Sequence, residues 1–384
     1  MFQKLLQKHL ARAVLSRGLR AIDSGAIAIA SDLGVRRTEN QDRAAIMKFR
    51  SQNGFYTLIS IVDGMGGMRD GEQAAEIAIS TLFNSVLENV HLGSEHAITQ
   101  ATLEANKAVF SFANGKGGST LSALLLCSDD VNMTVNVGDS RIYAKDSSLN
   151  KLVRLSVDDS LAEAVGGSGT ELLQFIGMGD GIRPHVAKLN PDVSQVYLTT
   201  DGVHYIEPQT LSDIVENAER VNQGVERLIA TARWCGGPDN ASICAVDLKL
   251  LTFDDHVDDT SIIEVSDPYT SMQFIWGHSP IKEPAATNHR LNETENNNNN
   301  NNNNDDGVSG LDTPAGSVAD DAQEQDNHTT EDKPDSKSRR KRKSHTSKKK
   351  DDKEDSGEDE MQMEITICDD VSDDNGEVKD DSSD

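Results

Sequence analysis

Between Ser119 and Lys145 three apolar runs, STLSALLLC (119–127), VNMTVNV (131–137) and RIYAK (141–145), are separated only by SDD and GDS. A parallel strand pair needs a crossover of a dozen or more residues, so gaps this short predict antiparallel neighbours. A doubly wound parallel sheet is thereby disfavoured. AIAIAS (26–31), FYTLISIV (55–62), QVYLTT (195–200) and ASICAVDLKL (241–250) also read as strands. Ala75, Ala78, Ile79, Leu82 and Val86 fall at helical spacing, as do Leu228 and Ala232, and two further helices are expected between Glu95 and Ala113. Runs of strands interspersed with helices imply an α+β fold in which helices cover antiparallel sheets.

The ends of the chain differ from this middle. Residues 1–23 carry Lys4, Lys8, Arg12, Arg17 and Arg20, and Leu6, Leu10 and Val14 recur at helical spacing, which predicts a basic amphipathic extension. That helix either packs on the domain or frays; a transit peptide is the less favoured reading of the same composition. Residues 24–250 form the expected catalytic-sized domain, and 251–291 an irregular extension with an apolar cluster, MQFIW (272–276). From Asn292 to Asp384 the chain is polar, with nine consecutive asparagines (296–304) and almost no aromatics. Such a segment cannot bury enough apolar surface to offset chain entropy and is expected to be disordered.

The formal net charge of -27 argues against a whole-chain nucleic-acid or anionic-membrane binder. No apolar run approaches the ~20 residues that span a bilayer. Cys127, Cys235, Cys244 and Cys368 form no CxxC pair, and the expectation is a reducing, cytoplasmic setting. The basic run at 337–350 would act as a nuclear-import signal in a eukaryotic host; direct DNA binding is disfavoured because DDKEDSGEDE follows at once. The island MEITIC (363–368) has the pattern of a strand that adds to a partner's sheet edge.

Several aspartates sit where an apolar strand meets glycine or asparagine: Asp63 and Gly64 in IVDGMGG, Asp139 in VNVGDSR, Asp201 in LTTDG, Asp239 in GGPDNAS. Each alone reads as a turn, since Asp bonds its own backbone and tolerates unusual dihedrals. Together they suggest carboxylates gathered at one rim, the oxygen ligands that hard divalent cations take. SDLGVRRTENQDR adds Asp42 and Arg37, whose planar guanidinium matches phosphate oxygens. Phosphate-ester chemistry and structural calcium with surface ion pairs both fit that set. No cysteine lies in a Cys-x5-Arg loop, which removes a thiol phosphatase.

The ordered blocks SDLGVRRTENQD, VDGMGG with DGEQAAE, GGSTLSALLL, VNVGDSRIY, LTTDGV and PDNASICAV resemble the metal-dependent protein phosphatases of the phosphatase 2C type, and the methionine in DGMGG resembles the bacterial branch. The resemblance implies an α/β/β/α sandwich: two antiparallel sheets between helix pairs. It implies a phosphoserine/phosphothreonine protein phosphatase in which a hydroxide bridging two Mn²⁺ or Mg²⁺ ions attacks phosphorus. Asp63 would bridge the metals, the Gly64 carbonyl, Asp201, Asp239 and Asp42 would complete their shells, Arg37 would bind phosphate, and Asp139 would help hold a weak third cation. Phosphoproteins are the implied partners, with the tail open to a protein partner.

Some positions depart from the pattern. Gln41 stands where many members carry glutamate, Met65 where other branches have a proton-donating histidine, and Asp159 where the family's Asp-His-Ser block has its histidine. The flap that follows, up to Gly177, is short, and Tyr205 replaces a carboxylate often found near the third cation. These departures keep a second reading open: a catalytically weak pseudophosphatase that binds phosphoproteins.

Overall fold

The structure, a computed structural model, describes residues 1–13, 15–65, 70–167, 171–253, 262–277 and 362–368. Helix α1 (Phe2–Leu10) precedes β1 (Arg17–Ile22), β2 (Ile27–Asp32), β3 (Asp42–Ser51) and β4 (Gly54–Asp63). Helices α2 (Gly71–Asn89) and α3 (Ser94–Ala113) follow, then β5 (Leu121–Cys127), β6 (Met133–Val137), β7 (Arg141–Asp146), β8 (Leu152–Arg154), the short α4 (Leu161–Val165) and β9 (His185–Lys188). The remaining elements are β10 (Val193–Thr199), α5 (Asp201–His204), α6 (Pro208–Glu216), α7 (Val221–Trp234), β11 (Ala241–Asp247), β12 (Ile262–Ser266), β13 (Ser271–Gly277) and β14 (Gln362–Cys368).

The strands form two wholly antiparallel sheets, ordered β1-β2-β11-β10-β7-β8 and β14-β13-β12-β3-β4-β5-β6-β9. They pack face to face through Ile29, Ile46, Ile59, Ile61, Leu124, Leu198 and Val246. Helices α1, α2 and α3 cover the outer face of the eight-stranded sheet, and α6 and α7 that of the six-stranded one. Strands β2, β5 and β11 are buried along their whole length because both faces are covered. This explains why their sequences are nearly continuous apolar runs rather than alternating ones. The expected sandwich of two antiparallel sheets between helices is therefore present.

Four local readings differ. The periodicity that runs to Val14 ends as helix at Leu10; α1 buries Phe2, Leu6 and Leu10 on the domain, and Arg17–Ile22 pairs with β2 as a strand. Residues 94–113 form one helix rather than two, and Asn106 within it is buried and bonds the backbone at Gly177 and Gly179. Strand β7 does not pair with β6: GDS carries the chain from one sheet to the other, with Gly138 at φ +96° making the turn. Residues 262–277, expected to be irregular, form a hairpin that extends the larger sheet through β3. The island at 363–368 is a strand, paired with β13 of the same chain. The asparagine run and the basic run lie outside the described residues.

Candidate active site

The β3–β4 hairpin sets the position of two carboxylates. Its tight turn at Gln52–Asn53 pairs Ser51 with Gly54, Gly54 taking φ +124°, and nine rungs later Asp42 pairs with Asp63. Side chains alternate along a strand. Asp42 therefore shares its face with Ala44 and Ile46, and Asp63 shares its face with Ile61 and Ile59, which all pack toward the second sheet. Both carboxylates thus emerge between the layers, at one end.

The second sheet supplies Asp201, directly after β10, and Asp239, just before β11. Their approach depends on missing side chains: a Cβ on Gly202 would lie 1.9 Å from the Asn240 carbonyl oxygen, and one on Gly34 2.2 Å from that of Asp239. Gly64 is confined likewise, a Cβ there lying 2.2 Å from the Gly71 carbonyl oxygen. The glycines after Asp63 and Asp201 are required by close backbone contact rather than by unusual dihedrals.

Charge is concentrated at this junction. Burial is the largest cause holding Asp63 well above the ordinary carboxylate range, followed by the charges of Asp42 and Asp201. Asp42 is pushed up to about 7, chiefly by burial, which outweighs the hydrogen bond from Thr200. Asp201 is raised by burial and then by the charge of Asp239. Asp139, on the GDS crossover, rises to about 6 through burial and the charges of Asp201 and Asp158. Arg37 Nη2 donates to Asp239 Oδ2 at 2.6 Å, and this contact is the main cause raising the arginine's pKa. The structure thus brings Arg37, Asp42, Asp63, Asp139, Asp201 and Asp239 into one electrostatic cluster beside Gly64.

The donor set suits a hard divalent cation. Asp42 Oδ1 and Asp201 Oδ1 are buried with no hydrogen-bond partner, and buried carboxylate oxygens without a donor are costly unless a cation answers them. Among the described residues no group of three or more His, Cys, Asp or Glu side chains is arranged so that it could hold a metal ion as it stands. Asp239 instead spends one oxygen on Arg37 and the other on the Asn240 N–H.

Sequence reasoning missed the residues that hold this arrangement in place. Asn240, read only as a turn neighbour of Asp239, accepts from Gln41 N–H at 2.8 Å and donates to the Leu33 and Glu39 carbonyls at 2.9 and 3.0 Å. It pins the loop that carries Arg37. Thr200 Oγ1 donates to Asp42 Oδ2 at 2.9 Å. Arg43 ties the Asn40 and Asp42 carbonyls to Glu76 of α2 and to the Leu10 carbonyl. Thr120 Oγ1 accepts from Asp63 N–H and bonds Ser140 Oγ, linking β4 to the crossover. Polar residues flanking each motif are the only signal the sequence offered for these.

The departing positions also find their places. Asp159 accepts from the Gly138 N–H at 3.0 Å and meets His185 Nε2 at 2.8 Å, so it buttresses the crossover that bears Asp139. The Tyr205 hydroxyl donates to the Ala232 carbonyl of α7. The phenol is thus a helix contact.

Residues 35–240, more than half of the chain, match the family model of protein phosphatase 2C. The chain belongs to the protein phosphatase 2C family. Similar relatives include the serine/threonine phosphatase Stp of Listeria welshimeri, 25% identical over an alignment of 246 residues that covers 58% of this chain and 95% of the relative. Protein phosphatase PhpP of Streptococcus pneumoniae is 27% identical over 245 residues, 58% of this chain and 97% of its own. A crystal structure of a bacterial serine phosphatase matches with a TM-score of 0.50 at 19% identity, covering 58% of this chain and 97% of that one, a likeness of fold. This chain is accordingly a protein phosphatase of the bacterial-like branch, a phosphoric monoester hydrolase by class. Among the described residues no helix is long and apolar enough to cross a membrane.

Proposed function

We propose that this protein phosphatase hydrolyses phosphoserine and phosphothreonine in proteins with the help of two divalent cations, Mn²⁺ or Mg²⁺, held by Asp42, Asp63, the Gly64 carbonyl, Asp201 and Asp239. The observation that carries the reading is the pair of buried, unanswered oxygens on Asp42 and Asp201 within a cluster of carboxylates drawn from both sheets. When bound, such cations would lower the pKa of water and offset phosphoryl charge. Asp139, with Asp201, is the proposed seat of a weaker third cation.

The chain's own groups do the rest. Arg37 presents a half-exposed guanidinium at the mouth of the cluster, where its fork can grip two phosphoryl oxygens once it leaves Asp239. Thr200 holds one Asp42 oxygen and so fixes the direction of the other. Asn240 and Arg43 hold the loop and hairpin end so that Arg37 and Asp42 keep their spacing. Met65 has no proton to give, so the departing seryl or threonyl oxygen would take its proton from water or from a group held by the cations.

The test is release of phosphate from a phosphoserine peptide with and without Mn²⁺. The unaltered chain should turn over only with the metal, and Asp63→Asn and Asp201→Asn should lower kcat/KM by at least about 10³-fold while keeping the fold. Binding of the phosphopeptide without turnover above those variants would instead establish the phosphoprotein-binding reading.

A further inference from the structure

Strand β13 would be the edge of the larger sheet but for β14, which arrives from residues 362–368 after the intervening 278–361. The two strands pair antiparallel over seven positions, from Ser271 opposite Cys368 to Gly277 opposite Gln362. The β13 sequence, SMQFIWG, has no charge and no proline. Those are the devices by which natural edge strands avoid pairing with other chains. An edge so undefended calls for a cover. The covering segment has the defences instead, with GEDE before it and DD after it.

The register is specific. In QMEITIC apolar and polar residues alternate, and Met363, Ile365 and Ile367 stand opposite Trp276, Phe274 and Met272. Directly paired residues share a sheet face. On β13 that face holds the buried Met272 and Phe274, the latter edge-on to Phe2 of α1 at 4.8 Å. A slip by one residue would bring Glu364 and Thr366 to that face. The connecting segment carries the asparagine run and the basic run and no apolar cluster, so its sequence offers nothing to deliver the strand. Among the described residues, the ladder with β13 is the pairing that holds residues 362–368.

We propose that the β13 edge is a peptide-docking site and that residues 362–368 are its tethered, exchangeable ligand. The ligand class is an extended segment with apolar residues at alternate positions and acids at both ends, recognised by main-chain hydrogen bonds and by the face of β13 that carries Met272 and Phe274. A segment of the same chain is present at an effective concentration that dilute free peptide does not reach. Free peptide therefore competes poorly with the cis strand and binds well only when that strand is disabled. The site lies outside the carboxylate cluster, so the proposal stands apart from the catalytic reading.

The test uses the full-length chain and its Ile365→Pro variant, in which the ring removes a backbone donor from mid-strand. Hydrogen exchange should show protection of the alternate amides of 363–367 and 272–276 that point across the β13–β14 ladder in the unaltered chain, and loss of both in the variant, while the β13 amides that point to β12 stay protected. A synthetic peptide of residues 358–370, followed by fluorescence anisotropy, should bind the variant at least about 10-fold more tightly than the unaltered chain and restore protection over 272–276. Unprotected 363–367 amides in the unaltered chain, or equal peptide binding by both proteins, would overturn the proposal. So would doubling of the mass by light scattering together with protection, which would place a second copy's strand on the edge.

Discussion

Replacing Asn240 by Ala removes a buried side chain that holds the loop bearing Arg37. Its amide makes three hydrogen bonds, one accepted from Gln41 and two donated to the Leu33 and Glu39 carbonyls, and the residue is 4% exposed. Each such bond contributes about 1 kcal/mol net, so the loss should be about 3 kcal/mol, more where a partner stays buried and unsatisfied. In a domain of this size that corresponds to a melting point lower by about 6–12 °C. Because the released segment carries Arg37, the proposed phosphate-binding residue, KM for a phosphopeptide should rise more than kcat falls. Thermal melting and initial rates, run on the same preparation, check both parts. A melting point within about 2 °C of the unaltered chain, with KM unchanged, would refute the view that Asn240 sets the position of Arg37.

Gly202→Ala should destabilise the domain by about 1–3 kcal/mol in urea titration, because a methyl group would sit 1.9 Å from the Asn240 carbonyl oxygen; an unchanged midpoint would mean that the backbone yields freely there. Asp42→Asn should raise the melting point of metal-free protein by removing a buried like charge, and should shrink the upward shift produced by millimolar Mn²⁺, as read by calorimetry. Asp267 is subject to burial, which pushes its pKa up, but the His9 hydrogen bond and the Arg12 charge outweigh this and hold it below the ordinary range. Its contribution is therefore present above about pH 4 and lost as pH falls through the lower, folded value, so Asp267→Asn should flatten the urea midpoint between about pH 4 and pH 2.

Much of the site was legible because strand-end aspartates followed by glycine carry two constraints at once: a carboxylate at a rim and a backbone that another strand must approach closely. Gly64 and Gly202 satisfy the second constraint in space. Strand β3 was not legible, since RAAIMKF fits a helix or a strand by period alone and its pairing with β4 decides the matter. The sheet to which β7 belongs was hidden for a related reason. A three-residue gap normally closes a hairpin, whereas here Gly138 turns the chain across the sandwich, and Asp159 accepts its N–H. Asn240 and Arg43 were invisible as organisers because their partners are main-chain groups of distant segments, which leave no mark in side-chain pattern.

The carboxylates that face one another come from different layers: Asp42 and Asp63 from the larger sheet, Asp201 and Asp239 from the ends of strands in the smaller one. Elsewhere the layers are joined by aliphatic packing that attracts at every pH. At this end they are joined by groups that repel when ionised. The sandwich is thus built like a clam, hinged by its apolar middle and sprung at the lip, and whatever positive charge enters the lip works as a rivet between the shells. In its absence, the rungs nearest Asp42 and Asp63 should be the first to exchange their amide hydrogens, ahead of the rungs near Ser51 and Gly54.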